Sequence, residues 1–241
     1  MTGTLYGVGV GPGDPELITL KAARIIGEAD VVAYFAKRGK HGNSRNIAEH
    51  HIGAEADQLR LEYPYTTEIP ASDPRYVEAL EAFYNTSAAQ IGDCLAGDRS
   101  VAVLCEGDPF LYGSFMHLYD RLNGDHATEV VPGITSMSGC WTRAGTPMTR
   151  GNECLSVLAG TIEENKLVER LEACDAAVIM KVGRNLPKVR SALARAGLTK
   201  RAIFVERGTM SEERIVRLCE KSDDRAPYFS LVLVPGSQAG P

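Results

Sequence analysis

The chain has no excess of positive charge: 26 Lys and Arg stand against 31 Asp and Glu, for a net charge of -5. That balance excludes a general phosphate-collecting surface and with it a broad nucleic-acid binder. No apolar run approaches the roughly 20 residues of a membrane-spanning helix. The opening Met-Thr-Gly-Thr-Leu-Tyr-Gly lacks a basic stretch followed by an apolar one, so no secretory signal is expected and the reading is cytoplasmic. No C-x-x-C pair occurs among Cys94, Cys105, Cys140, Cys154, Cys174 and Cys219, which are read as reduced thiols behaving as small hydrophobes. The five histidines show no metal-ligand spacing, and adjacent His50 and His51 would point apart on a helix, so no metal is expected. Repeats and low-complexity segments are absent too. What is present is ordinary globular composition, 44% hydrophobic and 24% charged, which excludes a disordered chain.

Short β-branched runs alternate with helical periodicity. Strands are expected at Leu5–Val10, Val31–Phe35, Ser100–Cys105, Glu129–Val131, Cys154–Leu158, Ala176–Met180, Ala202–Val205 and Phe229–Val234. Helices are expected at Glu16–Ala29, near Asn46–His51, and at Asp73–Leu95, Gly113–Leu122, Thr135–Ala144, Glu163–Glu172, Leu186–Ala196 and Ser211–Leu218. The continuous apolar run Ser100–Cys105 suits a strand covered on both faces, as in a parallel sheet. The alternation makes the fold class α/β. Gly145-Thr146-Pro147 is the strongest punctuation, so two α/β domains are expected, 1–144 and 145–241, with a cleft between them.

Special loops cluster at strand ends. Gly7-Val8-Gly9-Val10-Gly11-Pro12-Gly13-Asp14-Pro15 follows the first strand. It fails the dinucleotide fingerprint G-x-G-x-x-G, because the sixth position is Pro12 counted from Gly7 and Asp14 counted from Gly9. No Gly-Lys-Ser/Thr follows a glycine loop either, so a phosphate-binding P-loop is excluded. Glu106-Gly107-Asp108-Pro109-Phe110-Leu111-Tyr112-Gly113-Ser114 follows the SVAVLC strand, at the end of a strand where α/β proteins bind ligands. The alternative is an Asx turn in which Asp108 bonds its own backbone. Val131-Pro132-Gly133-Ile134-Thr135-Ser136 presents two hydroxyls at a helix start, for a ligand or simply as an N-cap. Lys181-Val182-Gly183-Arg184-Asn185 and Glu206-Arg207-Gly208-Thr209-Met210 end two strands of the second half, each as a ligand loop or a plain turn.

The ordered set GVGVGPGDPELITLKA, CEGDPFLYGS, VPGITSMSG, IMKVGR and VERGT resembles the tetrapyrrole (precorrin) methylases of cobalamin and sirohaem biosynthesis, over essentially the whole chain from Gly7 to Pro235. LCEGDPFLYGSFMHL, VIMKVGRNLPKVR and PYFSLVLVP are most similar to members that methylate C20 of precorrin-2. A departure is Tyr63-Pro64-Tyr65-Thr66, where family members carry Pro-Met-Thr. The resemblance implies an α/β pair of domains, a homodimer, and S-adenosylmethionine bound in the cleft between the domains. It implies a precorrin-2 substrate methylated at a meso carbon, with cobalt-loaded substrate, another ring carbon or a non-catalytic ligand sensor as alternatives. Carried over, Pro12, Gly107, Asp108, Leu111, Gly113, Thr135, Ser136, Val182, Glu206, Gly208 and Thr209 are cofactor contacts. The substrate's acetate and propionate groups call for cations. Lys37 and Arg38, with Lys40 and His41 in the same loop, and Arg45 are the main candidates, Arg143, Arg150 and Arg184 weaker ones. Tyr34, Ser44 and Tyr65 are expected to line the substrate pocket. No side chain, Glu106 included, is expected to be an essential base.

Overall fold

A computed structural model describes residues 3–65 and 73–237; Thr66 of the departing Tyr63–Thr66 segment lies outside them. The chain divides into two units, Met1–Thr135 and Ser136–Pro241, each with its own sheet.

In the first unit the elements run β1 Leu5–Gly9, a 3-10 turn Pro15–Leu17, α1 Leu20–Glu28, β2 Val31–Lys37, α2 Asn43–Ile47, β3 Asp57–Tyr63, α3 Pro74–Ala96, β4 Val101–Cys105, α4 Phe115–Leu122 and β5 Thr128–Val131. The sheet is parallel throughout, in the order β3-β2-β4-β1-β5. The apolar run of β4 is buried at every residue because its two faces pack on different helices. Val101, Val103 and Cys105 face α3 and α4 through Ile91, Leu95, Phe115 and Leu118. Ala102 and Leu104 face α1 and α2 through Ala22, Ile25, Ile26 and Ile47. Burying such side chains contributes roughly 1.5–3 kcal/mol each relative to exposure.

Sequence periodicity joined Glu16–Ala29 into one helix, and the structure breaks it at Ile18–Thr19. Asp14 accepts from the Glu16 amide at 2.9 Å and closes the 3-10 turn, then Thr19, extended, accepts from the Ala22 amide and starts α1 afresh. The helix expected near Asn46–His51 begins earlier, as α2, and ends in a 3-10 turn at Glu49–His51. β3 was not anticipated. Its Leu59, Leu61 and Tyr63 alternate onto the α3 face while Arg60 and Glu62 point outward, a period of two hidden by the charged residues.

The second unit holds α5 Ser136–Arg143, β6 Leu155–Ala159, α6 Glu164–Glu172, β7 Ala176–Met180, α7 Leu186–Arg195, β8 Ile203–Glu206, β9 Arg214–Arg217 and β10 Ser230–Val234. Its sheet order is β6-β7-β10-β8-β9. Only β6 and β7 are parallel; β10 runs antiparallel to both neighbours, and β9 is antiparallel to β8. One face packs on α6 and α7 through Leu167, Leu171, Val189 and Leu193. The other packs on α5 through Cys140, with Met137 and Trp141 beside it. The helix expected at Ser211–Leu218 is instead β9 followed by a 3-10 turn. Val216 pairs with Phe204 and Ile215 with Val205 across the ladder, and this partner decides the conformation of a segment too short to signal a period.

Candidate functional site

Strand order places the candidate site of the first unit. From β1 the chain crosses by α1 on one face of the sheet to β2; from β4 it crosses by α4 on the opposite face to β5. β1 and β4 are adjacent, so their carboxyl ends form a topological switch point, where open parallel sheets bind ligands. The Gly9–Asp14 and Glu106–Ser114 loops both start there.

Backbone contact joins these loops. The Val10 amide donates to the Cys105 carbonyl at 2.9 Å and the Gly107 amide to the Gly11 carbonyl at 2.7 Å, closing a Gly11–Gly107 bridge. The loop after β5 meets them at Gly133. A Cβ on Gly9 would lie 2.5 Å from the Gly133 nitrogen and 2.7 Å from the Gly107 oxygen. Three strand ends thus meet glycine to glycine, a closeness no side chain permits. Gly107 also needs its left-handed φ of 68°.

Asp108 braces the junction. Its Oδ1 accepts from the Phe110 amide at 2.9 Å and its Oδ2 from the Gly133 amide at 3.1 Å. Both the local Asx turn and a longer tie to the β5 loop are therefore present. Pro12 is buried, and Leu111 and Gly113 are half-buried in the same loops. Glu106 sits at the loop's entry, its Oε1 accepting from the Ser44 amide at 3.1 Å. Burial pushes its carboxyl above the usual carboxylate range, and backbone hydrogen bonds, the Ser44 amide among them, oppose the rise.

The other sequence-derived residues of this unit scatter in environment. Tyr34 is buried in the core with α1, under Gly42. Lys37 ends β2 and is exposed, as are Arg38, Lys40 and His41 after it, and Tyr65 is exposed after β3. Arg45 is already engaged, donating to Glu49 at 2.8 Å and Gln58 at 3.2 Å. Ser44 is buried, and its hydroxyl has no hydrogen-bond partner among the described residues. Thr135 is half-buried at the end of the unit.

In the second unit Ser136 opens α5 and Val182 is buried after β7. The loop after β8 is strained: Arg207 and Thr209 have φ of 48° and 71°, and a β-branched residue in that region is an outlier. Gly208 between them packs against α5, where a Cβ would strike the Cys140 sulfur. Glu213 holds the loop in shape. It accepts from the Thr209 amide at 2.7 Å and from the Arg143 guanidinium at 2.9 Å. The Arg143 hydrogen bond, foremost, and the Thr209 amide hold the Glu213 carboxyl below its usual range. Arg143, read from sequence as a weak candidate for substrate carboxylates, is thus the partner of Glu213. Glu213 itself was missed, and the only signal for it was its distance of four residues from Thr209. Glu206 is half-buried and lies 3.4 Å from the Arg207 guanidinium. Arg150 and Arg184 are exposed.

The junction offers backbone groups with the apolar walls of Leu111 and Pro12, and the second unit offers Val182 and a glycine packed tight at Gly208.

Comparison with known proteins identifies the family. Residues 4–221 match the family model of the tetrapyrrole (corrin/porphyrin) methylases. The chain is 55% identical over 234 residues to a precorrin-2 C(20)-methyltransferase of Sinorhizobium sp., covering 97% of this chain and 96% of that protein. It is 30% identical to the cobalt-precorrin-2 C(20)-methyltransferase of Salmonella typhimurium, covering 97% of each. Uroporphyrin-III C-methyltransferase of Thermus thermophilus, solved with S-adenosyl homocysteine, has the same fold, with a TM-score of 0.68 and 24% identity over 96% of this chain and 97% of that one.

Proposed function

Because this chain belongs to the tetrapyrrole (corrin/porphyrin) methylases, we propose that it transfers a methyl group from S-adenosylmethionine to C20 of precorrin-2, giving precorrin-3A in cobalamin biosynthesis. The observation that carries the reading is 55% identity, over nearly the full length of both chains, to a relative of that activity. The loops at the ends of β1, β4 and β5 support it, since they offer backbone and apolar groups and carry no Lys or Arg where a phosphate cofactor would need cations.

S-adenosylmethionine supplies an already activated sulfonium methyl, so the protein's task is placement. Positioning reacting groups in line is worth roughly 7–11 kcal/mol of barrier. The residues proposed to hold the donor are Pro12, Gly107, Leu111, Gly113 and Thr135 of the first unit and Ser136, Val182, Glu206, Gly208 and Thr209 of the second. Asp108 acts through the loop, by tying Phe110 and Gly133 together. The exposed Lys37, at the carboxyl end of β2, and Arg38 and Lys40 after it are proposed to meet the substrate's carboxylates. Arg45 serves less directly, since Glu49 and Gln58 already hold it. Ser44 and Tyr65 remain substrate candidates; Tyr34 supports them from the core. The protein is read as a cytoplasmic homodimer, as the family resemblance implies, and light scattering of the purified protein checks the dimer. No described helix is long and apolar enough to cross a membrane.

Two measurements test the reading. Calorimetry should detect S-adenosylhomocysteine binding. Mass spectrometry of precorrin-2 incubated with enzyme and donor should show one added methyl, with NMR placing it at C20. Methylation at a different carbon would refute the named reaction and keep the family; preference for cobalt-loaded substrate would replace the metal-free one.

A further inference from the structure

We propose that Glu106 is a catalytic residue, the acceptor of the proton that the methylated ring must lose. The proposal rests on the methyl-transfer reading above. Two carboxylates stand on the loop after β4, and the structure separates their roles. Asp108 spends both oxygens on backbone amides, those of Phe110 and Gly133. Glu106 accepts from the Ser44 amide through Oε1, and its own backbone amide also reaches the carboxyl. Among the described residues no cation pairs with the Glu106 carboxylate. Beside it the Ser44 hydroxyl, in a residue only 1% exposed, lacks a partner. A buried hydroxyl without a partner, beside a half-buried carboxylate, is costly to leave unsatisfied. They lie where Glu106 directly follows β4, one of the two strands of the switch point, and next to Gly107, which is bonded to the loop after β1.

The reaction needs such a group. The sulfur–methyl bond breaks with its electron pair left on sulfur, and the carbon–carbon bond forms from the ring's π pair. A cationic donor becomes a neutral thioether, so the ring carries the positive charge until one proton leaves. In the proposed step that proton passes to the Glu106 carboxylate, which becomes the neutral acid and later releases it to water. A carboxylate whose burial favours the protonated form is a better acceptor than an ordinary glutamate. Its titratable neighbours on the same segment are Cys105, whose buried thiol is pushed well up, and Asp108. On α2, Arg45 faces Glu49 and Gln58, and His41, ahead of α2, is exposed.

Glu106→Gln tests this cleanly, because its amide oxygen can still accept from the Ser44 amide while having no basicity. The expected result is a loss of kcat of at least about 10²-fold, with S-adenosylhomocysteine affinity unchanged within about twofold. Glu106→Asp, basic but one methylene short of Ser44, should recover part of the rate. A readout without turnover is carboxyl NMR of protein labelled at glutamate: one resonance, absent in Glu106→Gln, should titrate above the ordinary range. The proposal is overturned if Glu106→Gln keeps more than a third of wild-type kcat. It is equally overturned if rate and cofactor affinity fall together, which would make Glu106 a loop-holding residue. A wild-type protein that binds no S-adenosylhomocysteine would instead sink the functional reading beneath it.

Discussion

A Cβ placed on Gly133 would enter the shell of the Gly107 carbonyl oxygen and come within 2.8 Å of the Gly9 Cα. Neither neighbour is a flexible side chain, so backbone must shift. Gly133→Ala is therefore expected to destabilise the protein by about 1–3 kcal/mol and to weaken S-adenosylhomocysteine binding, as read by urea unfolding and calorimetry. Gly124→Ala is the control: a Cβ there meets nothing within 4 Å, and both quantities should hold. Two carboxylates give opposite pH signatures. Glu213 is held below the usual range, so its stabilising effect is complete above the unfolded-state pKa and disappears as pH falls through the folded one. Glu213→Gln should remove that acid-side loss. Glu106 is raised, so the folded state holds its proton longer than the unfolded chain does. Stability accordingly declines as pH rises from the ordinary carboxyl pKa through the raised one, and Glu106→Gln should flatten that decline in denaturation curves taken across the window. Motif reading found Gly107 and Asp108 and assigned them to the ligand. It could not tell that Gly9, Gly107 and Gly133 touch one another, or that both Asp108 oxygens are already spent, because those contacts join residues far apart in the chain.

Helix α1 shows what periodicity can and cannot resolve. Ile18, Ala22, Ile25 and Ile26 share a helical spacing, yet the chain restarts at Thr19, whose hydroxyl caps the Ala22 amide at 3.2 Å. Thr19→Ala should cost about 1 kcal/mol in thermal or urea unfolding, whereas a continuous helix through Thr19 would make the change neutral or favourable. The long helix α3 was legible from both ends, with Asp73-Pro74 at its start and Gly97 at its close. The strands of the first sheet were legible as well, β3 excepted: β4, buried on both faces, is apolar at each position, and the edge strand β5 was marked by Val130 and Val131 ahead of Pro132-Gly133. Ser211–Leu218 was not: four residues of strand carry no readable period, and pairing with β8 supplied the energy that local preference lacks.

Each unit carries its own core, and amide exchange should report the layering within it. In the first unit the β4 amides, buried on both faces between β2 and β1, should exchange slowest, and those of the edge strands β3 and β5 sooner. In the second, β10 at the centre should outlast β9 at the edge. Slow exchange in β9 would contradict this sheet order. Composition and alternation were enough to establish an α/β protein with glycine-bearing loops at its strand ends, and the ordered motifs were enough to place it among the methylases. Those properties are written locally, in runs of a few residues whose burial and turn chemistry need no distant partner. The order β3-β2-β4-β1-β5, the antiparallel β8–β9 and β10 pairings, the union of Glu213 with Arg143 and the contact of Glu106 with the Ser44 amide came only with folding. Each depends on which remote groups satisfy a given hydrogen bond or cover a given face, and such pairings leave no mark on either partner's neighbours in sequence.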